Sequence, residues 1–373
     1  MARRSKKIIL VLLFSFVLHS TASASFPFNP SWSTTVKKGS FFKYKRKEFS
    51  SPRLFQEEVF VGSDAGTFYA MRAKNGHRIW HFKAEGSINS APAFSEKGKV
   101  YFGDDKGILY ALSVEEGKEV WKSQLGSEIL TAPLVIGEKI VVTTQEGTTL
   151  ALNSEDGHLL WKNEHPLVEG LQMTVRGNSP PVPDADDKTL FIGFADGTLK
   201  AVSFQDGKVI WEKSLAGSHT RLHDIDGATL LESDDKRLFV STFEGTLYAL
   251  DKKNGSVVWS RDALGSGVDL ESGDGFLYLS GSDGHLYAVN KKDGSIVWDK
   301  KLGEGALTAP RLHKDMIVVG LSNGALYFIQ RDDGHLIARR FAKKGISSDP
   351  VIDQNRIYYL SNGGRLYTLK LVR

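Results

Sequence analysis

The chain has 373 residues, a formal charge of +4, ten histidines and no cysteine, which removes disulfides and any CxxC metal or redox site from consideration. The positive charge is an end effect: Arg3, Arg4, Lys6 and Lys7 lie in a stretch of 24 residues without an acid, so residues 25–373 are close to neutral. A nucleic-acid footprint would need Lys and Arg clustered on one face, and the short run Lys43-Tyr-Lys-Arg-Lys47 reads instead as a solvated loop.

Residues 1–24 read as a secretory signal. A basic start leads into an eleven-residue apolar run, Ile8 to Leu18, and then Ala22-Ser23-Ala24, so cleavage is expected after Ala24. The run is short for a membrane span; an uncleaved anchor is the other reading of the same segment. Residues 25–373 are expected to form a single domain.

Beyond the leader, Trp80, Trp121, Trp161, Trp211, Trp259 and Trp298 each follow a glycine by four residues. The phrase they close is clear in Gly245-Thr-Leu-Tyr-Ala-Leu-Asp-Lys-Lys-Asn-Gly-Ser-Val-Val-Trp259. Successive tryptophans stand 41, 40, 50, 48 and 39 residues apart, close to the length of one four-stranded propeller blade. Within each copy, short alternating apolar runs are bounded by Gly, Asp and Asn, which is a strand pattern. Hairpins are predicted near Val59, Val100, Ile140, Leu190, Leu238, Leu277, Ile317 and Ile357. A third strand carries the tryptophan, and a fourth precedes the hairpin, often opening on Ala-Pro as at Ala91-Pro92, Ala132-Pro133 and Ala309-Pro310.

The fold expected is therefore all-β: an eight-bladed β-propeller of four-stranded antiparallel blades. The eighth hairpin runs into the end of the chain and lacks an outer strand, while Pro30-Ser-Trp-Ser-Thr-Thr-Val36 is a tryptophan strand with no hairpin before it. Joining the two closes the ring and protects edges that would otherwise aggregate. Each tryptophan is expected to dock between blades. The small residue of the third strand, at Ala70, Ala111, Ala151, Ala201, Ala249 and Ala288, is expected to make room for an aromatic side chain from a neighbouring blade. The seventh copy has Ala338 in place of Trp, read as a local weakening.

Chemistry is hard to find. His77 and His81 flank Trp80 in a turn and strand, where a spacing of four does not bring side chains together as it would on a helix. No HExxH, Gly-x-Ser-x-Gly or Walker loop occurs. Asp186-Asp187 and Asp234-Asp235 lack the oxygen spacing of a calcium loop and read as solvated turns. The informative irregularity is the excess length between Trp161 and Trp211 and between Trp211 and Trp259, which must emerge as loops at one face. Those loops hold Leu171, Met173, Val175 and Arg176 in one case and Asp224 and Asp226 in the other. A mixed apolar and charged surface carried on loops of a rigid scaffold suits protein binding; ordinary loops folded over the channel mouth are the alternative.

From about residue 30 onward the chain resembles the BamB family, the propeller component of the bacterial outer-membrane β-barrel assembly machinery. Part of the likeness, the spacing Ala-x-Asp-x-x-x-Gly-x-x-x-Trp in Ala249 to Trp259, is shared with quinoprotein dehydrogenases. More specific are Met173-Thr-Val-Arg-Gly-Asn-Ser-Pro180 and Arg221-Leu-His-Asp-Ile-Asp226, which resemble the family's Leu-Ser-Leu-Arg-Gly-Glu-Ser-Ala-Pro and Arg-Leu-Ser-Asp-Val-Asp segments. The resemblance implies a non-catalytic scaffold without cofactor that binds the POTRA domains of BamA and assists nascent outer-membrane barrels. Met173 and Val175 would be apolar contacts, Arg176 the charged anchor, and Asp224 and Asp226 its acidic partners. It also implies residence in the periplasm at the outer membrane. Family members are ordinarily tethered through an acylated cysteine, which this leader does not offer, so attachment through partners is expected in place of a lipid anchor. A dehydrogenase using pyrroloquinoline quinone and calcium, and a periplasmic adaptor for another complex, are the competing readings.

Overall fold

The computed structural model describes residues 28–36, 50–165, 178–184, 186, 188–215, 230–231, 237–242, 245–262, 264–265 and 267–372. The leader, the Lys43–Lys47 stretch and Asp234-Asp235 lie outside them. The described residues form eight four-stranded antiparallel sheets, arranged as an eight-bladed propeller. Blade 1 is Arg53–Phe55, Glu58–Val61, Thr67–Arg72 and Arg78–Lys83, taken from the axis outward, and blades 2 to 7 repeat that order along the chain.

Blade 8 is composite. Val351–Asp353, Arg356–Ser361 and Arg365–Leu371 supply three strands, and Phe28–Thr35 is the fourth. It runs antiparallel from Phe28 opposite Leu371 to Thr35 opposite Arg365. The two ends of the chain thus close the ring side by side, as the orphan tryptophan strand predicts. Polar contacts reinforce the seam: Tyr358 donates to the carbonyl of Ala73 in blade 1 at 3.2 Å, and Arg365 Nε donates to Ser33 Oγ at 3.0 Å.

The tryptophans are the rivets between blades. Each of the seven donates its indole N–H to a backbone carbonyl of the next blade, Trp32 to Ala73, Trp80 to Val114, Trp121 to Ser154, Trp161 to Phe204, Trp211 to Lys252, Trp259 to Lys291 and Trp298 to Arg331, at 2.8–3.2 Å. The ring then covers the glycine three residues beyond that carbonyl. A Cβ on Gly157, for instance, would sit 2.6 Å from Cε3 of Trp121, and the φ of 74° already favours glycine. This explains why glycine and tryptophan recur together: the glycine of one copy receives the tryptophan of the copy before it.

The small third-strand residue has a partner in its own blade as well as neighbours in the next. Ala70, Ala111, Ala151, Ala201, Ala249 and Ala288 each stand directly opposite the tryptophan of their own blade, followed by a register shift. They make room for that tryptophan, within clusters that also take in buried residues of the next blade. Ala338 is corrected by the same register. In blade 7 Phe328 faces Ala338, so the large and small partners have changed strands. Phe28 of the closing strand stacks on Phe328 with ring centres 4.5 Å apart and joins Ala338, Leu369 and Leu371 in one buried cluster. Blade 8 has no turn between its last two strands, because they are the chain termini, and so no turn glycine to receive a tryptophan.

Candidate partner-binding face

Met173, Val175, Arg176, Asp224 and Asp226 lie outside the described residues. What the structure provides is the frame from which their segments depart, on the two sides of blade 4. The connection beginning after His165 joins blade 3 to blade 4, and the one beginning after Leu215 joins blade 4 to blade 5.

That frame departs from the repeat. Ala84, Leu125, Leu215, Leu302 and Ala342 occupy the position four residues after the tryptophan or its equivalent, where blade 3 has His165. His165 Nε2 lies 2.8 Å from Asp196 Oδ2, and both side chains are largely buried. The imidazole stacks on Phe194 with centres 4.1 Å apart, while its Nδ1 has no hydrogen-bond partner among the described residues. Asp196 is held below the usual carboxylate range: burial pushes it up, and the hydrogen bonds from His165 and from the Thr198 N–H more than reverse that. Lys200 stands where six of the eight blades carry tyrosine. It is buried, its ammonium 5.3 Å from the centre of the Phe194 ring and 3.7 Å from Glu212.

The far end of the first connection is pinned as firmly. The buried Asn178 donates Nδ2 to the carbonyls of Thr144 at 2.8 Å and Gln145 at 3.2 Å in blade 3, and accepts from the Ala195 N–H of blade 4 at 3.0 Å. Ser179 Oγ accepts from the Gly193 N–H at 2.8 Å. A side-chain amide thus ties blade 3 to blade 4 at the exit of the segment that holds Arg176. Sequence reading missed His165, Asn178, Asp196 and Lys200, although His165 and Lys200 were visible as breaks in otherwise apolar or aromatic columns.

A second charged group lies on the axis. Arg311 of blade 7 reaches Glu271 of blade 6 at 3.0 Å and Asp349 of blade 8 at 3.6 Å. Asp349 also accepts from the Ala309 N–H at 3.0 Å, and Arg53 of blade 1 and Asp269 of blade 6 complete the set. Burial, reinforced by the charge of Asp349 and opposed by Arg311, pushes Asp269 up to about 7. Burial also raises Glu271, although Arg311 opposes it, and lowers Arg53, with Arg311 adding to the effect. The inner strands of the repeat thus set guanidinium groups against these carboxylates. Among the described residues no three His, Asp or Glu side chains gather in a way that could hold a metal ion. His77 and His81 are not a pair: His81 stacks on Tyr69 across its own sheet.

The interlocked Gly and Trp repeat and the ring closed by both termini define a β-propeller of the PQQ-like repeat type. A family model described as outer membrane protein assembly factor BamB matches residues 64–300 and again 227–372, and the chain belongs to that family. The outer membrane protein assembly factor BamB of Vibrio cholerae is 36% identical over 208 residues, covering 54% of this chain and 52% of that protein. Its namesake from Shewanella oneidensis is 27% identical over 181 residues, covering 47% and 34%. The chain therefore matches a third to a half of the length of these relatives. The crystal structure of BamB from Moraxella catarrhalis superposes with a TM-score of 0.79 at 22% identity, over 92% of this chain and 100% of that one, a likeness of fold.

Proposed function

We propose that this protein is a non-catalytic scaffold of outer-membrane protein assembly, exported to the periplasm, that docks on the POTRA domains of BamA through the two long connections flanking blade 4. Membership of the BamB family over residues 64–372 carries the assembly role. The placing of the site is supported by two breaks in the repeat, His165 and Lys200, which with Asp196 and Asn178 gather near the root and exit of the first connection. Met173 and Val175 would supply apolar contact and Arg176 a charged anchor, with Asp224 and Asp226 orienting Arg176 or meeting basic groups of the partner.

Rigid anchoring of both ends lowers the ordering cost that a binding loop otherwise carries. A central arginine flanked by apolar side chains is also the composition of an interface hot spot. Arg176→Glu is expected to reduce recovery of BamA from detergent-solubilised envelopes at least tenfold, with the circular dichroism spectrum unchanged. Undiminished recovery by the folded variant refutes the assignment.

A further inference from the structure

The outer strands of blades 1 to 6 each carry a polar residue three positions after the tryptophan: Lys83, Gln124, Glu164, Ser214, Asp262 and Lys301. Blade 7 has Phe341 there. Its relative exposure of 71% is the highest of any large hydrophobic residue in the described structure, the others lying between 38% and 54%. Nothing apolar covers it; the Arg339 guanidinium lies 5.0 Å from its ring centre. Lys343 and Lys344 are exposed in the turn that follows, and Arg365 is exposed at the corresponding end of blade 8. Lys344 adopts a φ of 68°, a conformation that costs a residue with a Cβ about 1 kcal/mol, yet the chain places a lysine at that point.

The charge around this ring is one-sided. Residues 336–372 contain seven Lys and Arg against two acids. Of those acids, Asp349 is engaged by Arg311 on the axis, and Asp353 lies opposite Arg356 at the other end of its strand. Residues 25–335 taken together carry more acids than bases, so among the described blades the excess of base falls on this arc; the other basic run, Lys37 to Lys47, lies outside the described residues.

We propose that Phe341, with Arg339, Lys343, Lys344 and Arg365 around it, is a docking point for an anionic phospholipid bilayer. A stable protein interface needs about 800 Å² per partner with complementary shape, whereas this is one ring projecting from a rigid strand end. A bilayer asks for little more: an aromatic side chain enters the headgroup layer while cations meet the surface potential. The charge complementarity selects anionic over neutral lipid. The proposal stands apart from the blade 4 connections, which lie on a different arc of the ring.

The test is co-sedimentation of the purified protein with vesicles of phosphatidylethanolamine and phosphatidylglycerol, against vesicles of phosphatidylcholine alone. Binding is expected to the anionic vesicles only and to fall as salt is raised. Each cation near such a surface contributes about a factor of five, so the double variant K343E/K344E is expected to lose at least tenfold in partitioning. Phe341→Ser should lose a similar factor and Phe341→Leu should retain most of the binding; the exposure of position 341 makes both compatible with folding. Absence of binding by the parent protein, or equal binding by parent, K343E/K344E and F341S, overturns the proposal. Loss of a co-purifying acidic envelope protein from these variants while vesicle binding persists also overturns it, and makes the patch a protein-docking site.

Discussion

The exchange of large and small partners in blade 7 can be tested by reversing it. Phe328 is fully buried and Ala338 nearly so; they face each other in register, and Phe28 stacks on Phe328. Phe328→Ala alone should cost about 3–5 kcal/mol through the cavity it leaves and the lost stacking with Phe28. Ala338→Trp alone forces an indole against Phe328 in a filled site and should cost about 1–3 kcal/mol. If the two positions behaved independently, the double variant would lose about 4–8 kcal/mol. Because the double variant restores the small and large order of blades 1 to 6, its loss is expected to be about 3 kcal/mol or less, a coupling of about 1 kcal/mol or more. Recovery should stay incomplete, since blade 8 offers no turn glycine for the new indole to cover. The four proteins are to be compared by urea unfolding followed by far-ultraviolet circular dichroism, each normalised to its own folded and unfolded baselines, with the denaturant slope checked for constancy. Losses that simply add, to within about 0.5 kcal/mol, refute the pairing argument.

Two further outcomes follow from buried polar groups. Asp269 holds its proton more tightly in the folded state, with its pKa raised to about 7 by burial and by Asp349, than in the unfolded chain, where an aspartate titrates near about 3.9. The folded protein therefore binds the extra proton between those values. The associated stability, of order a few kcal/mol, is full below about pH 4 and is lost as the pH rises through about 7. Asp269→Asn is expected to raise the melting temperature at pH 8, to change it less at pH 5 and to flatten the profile between; an unchanged profile counts against a proton held on Asp269 by burial and the charge of Asp349. Asn178→Ala strips partners from the Thr144 and Gln145 carbonyls and the Ala195 N–H, a loss of about 1–3 kcal/mol. Faster amide exchange confined to residues near 144–147 and 193–197 is its expected signature, and uniform acceleration across the ring would show that Asn178 is no local anchor.

Most of the architecture was legible because the repeat states its own rules eight times. A tryptophan every 39 to 50 residues with a glycine four residues ahead of it fixes strand, turn and interblade contact together. The orphan Trp32 strand located the closure for the same reason. What could not be read was which partners each small residue serves: alternation gives the face of a strand but not the partner across a sheet, so neither Trp121 opposite Ala111 nor the exchange of Phe328 with Ala338 was legible. The axial charges were hidden for a different reason. Arg53, Asp269, Glu271, Arg311 and Asp349 come from blades 1, 6, 7 and 8, and only closure of the ring brings the first blade beside the last.

The same logic makes the departures informative. In a molecule built from copies, a residue that serves the fold is expected to recur wherever the fold recurs, and Trp, Gly and Ala do. A residue that abandons its column gives up packing that its counterparts keep, so something specific to one blade must offset the loss. At blade 7 Ala338 meets this requirement structurally, since Phe328 and Phe28 refill the space. Asp349 and Arg311 meet it by pairing across blades. For His165 and Lys200 the local partners are Asp196, Phe194 and Glu212, but they do not explain why an apolar residue and a Tyr were given up beside the long connections that flank blade 4. Phe341 has only the guanidinium of Arg339 against it. Residues whose substitution is repaid inside the ring belong to the fold, whereas those repaid by nothing inside the ring mark where the propeller meets something else.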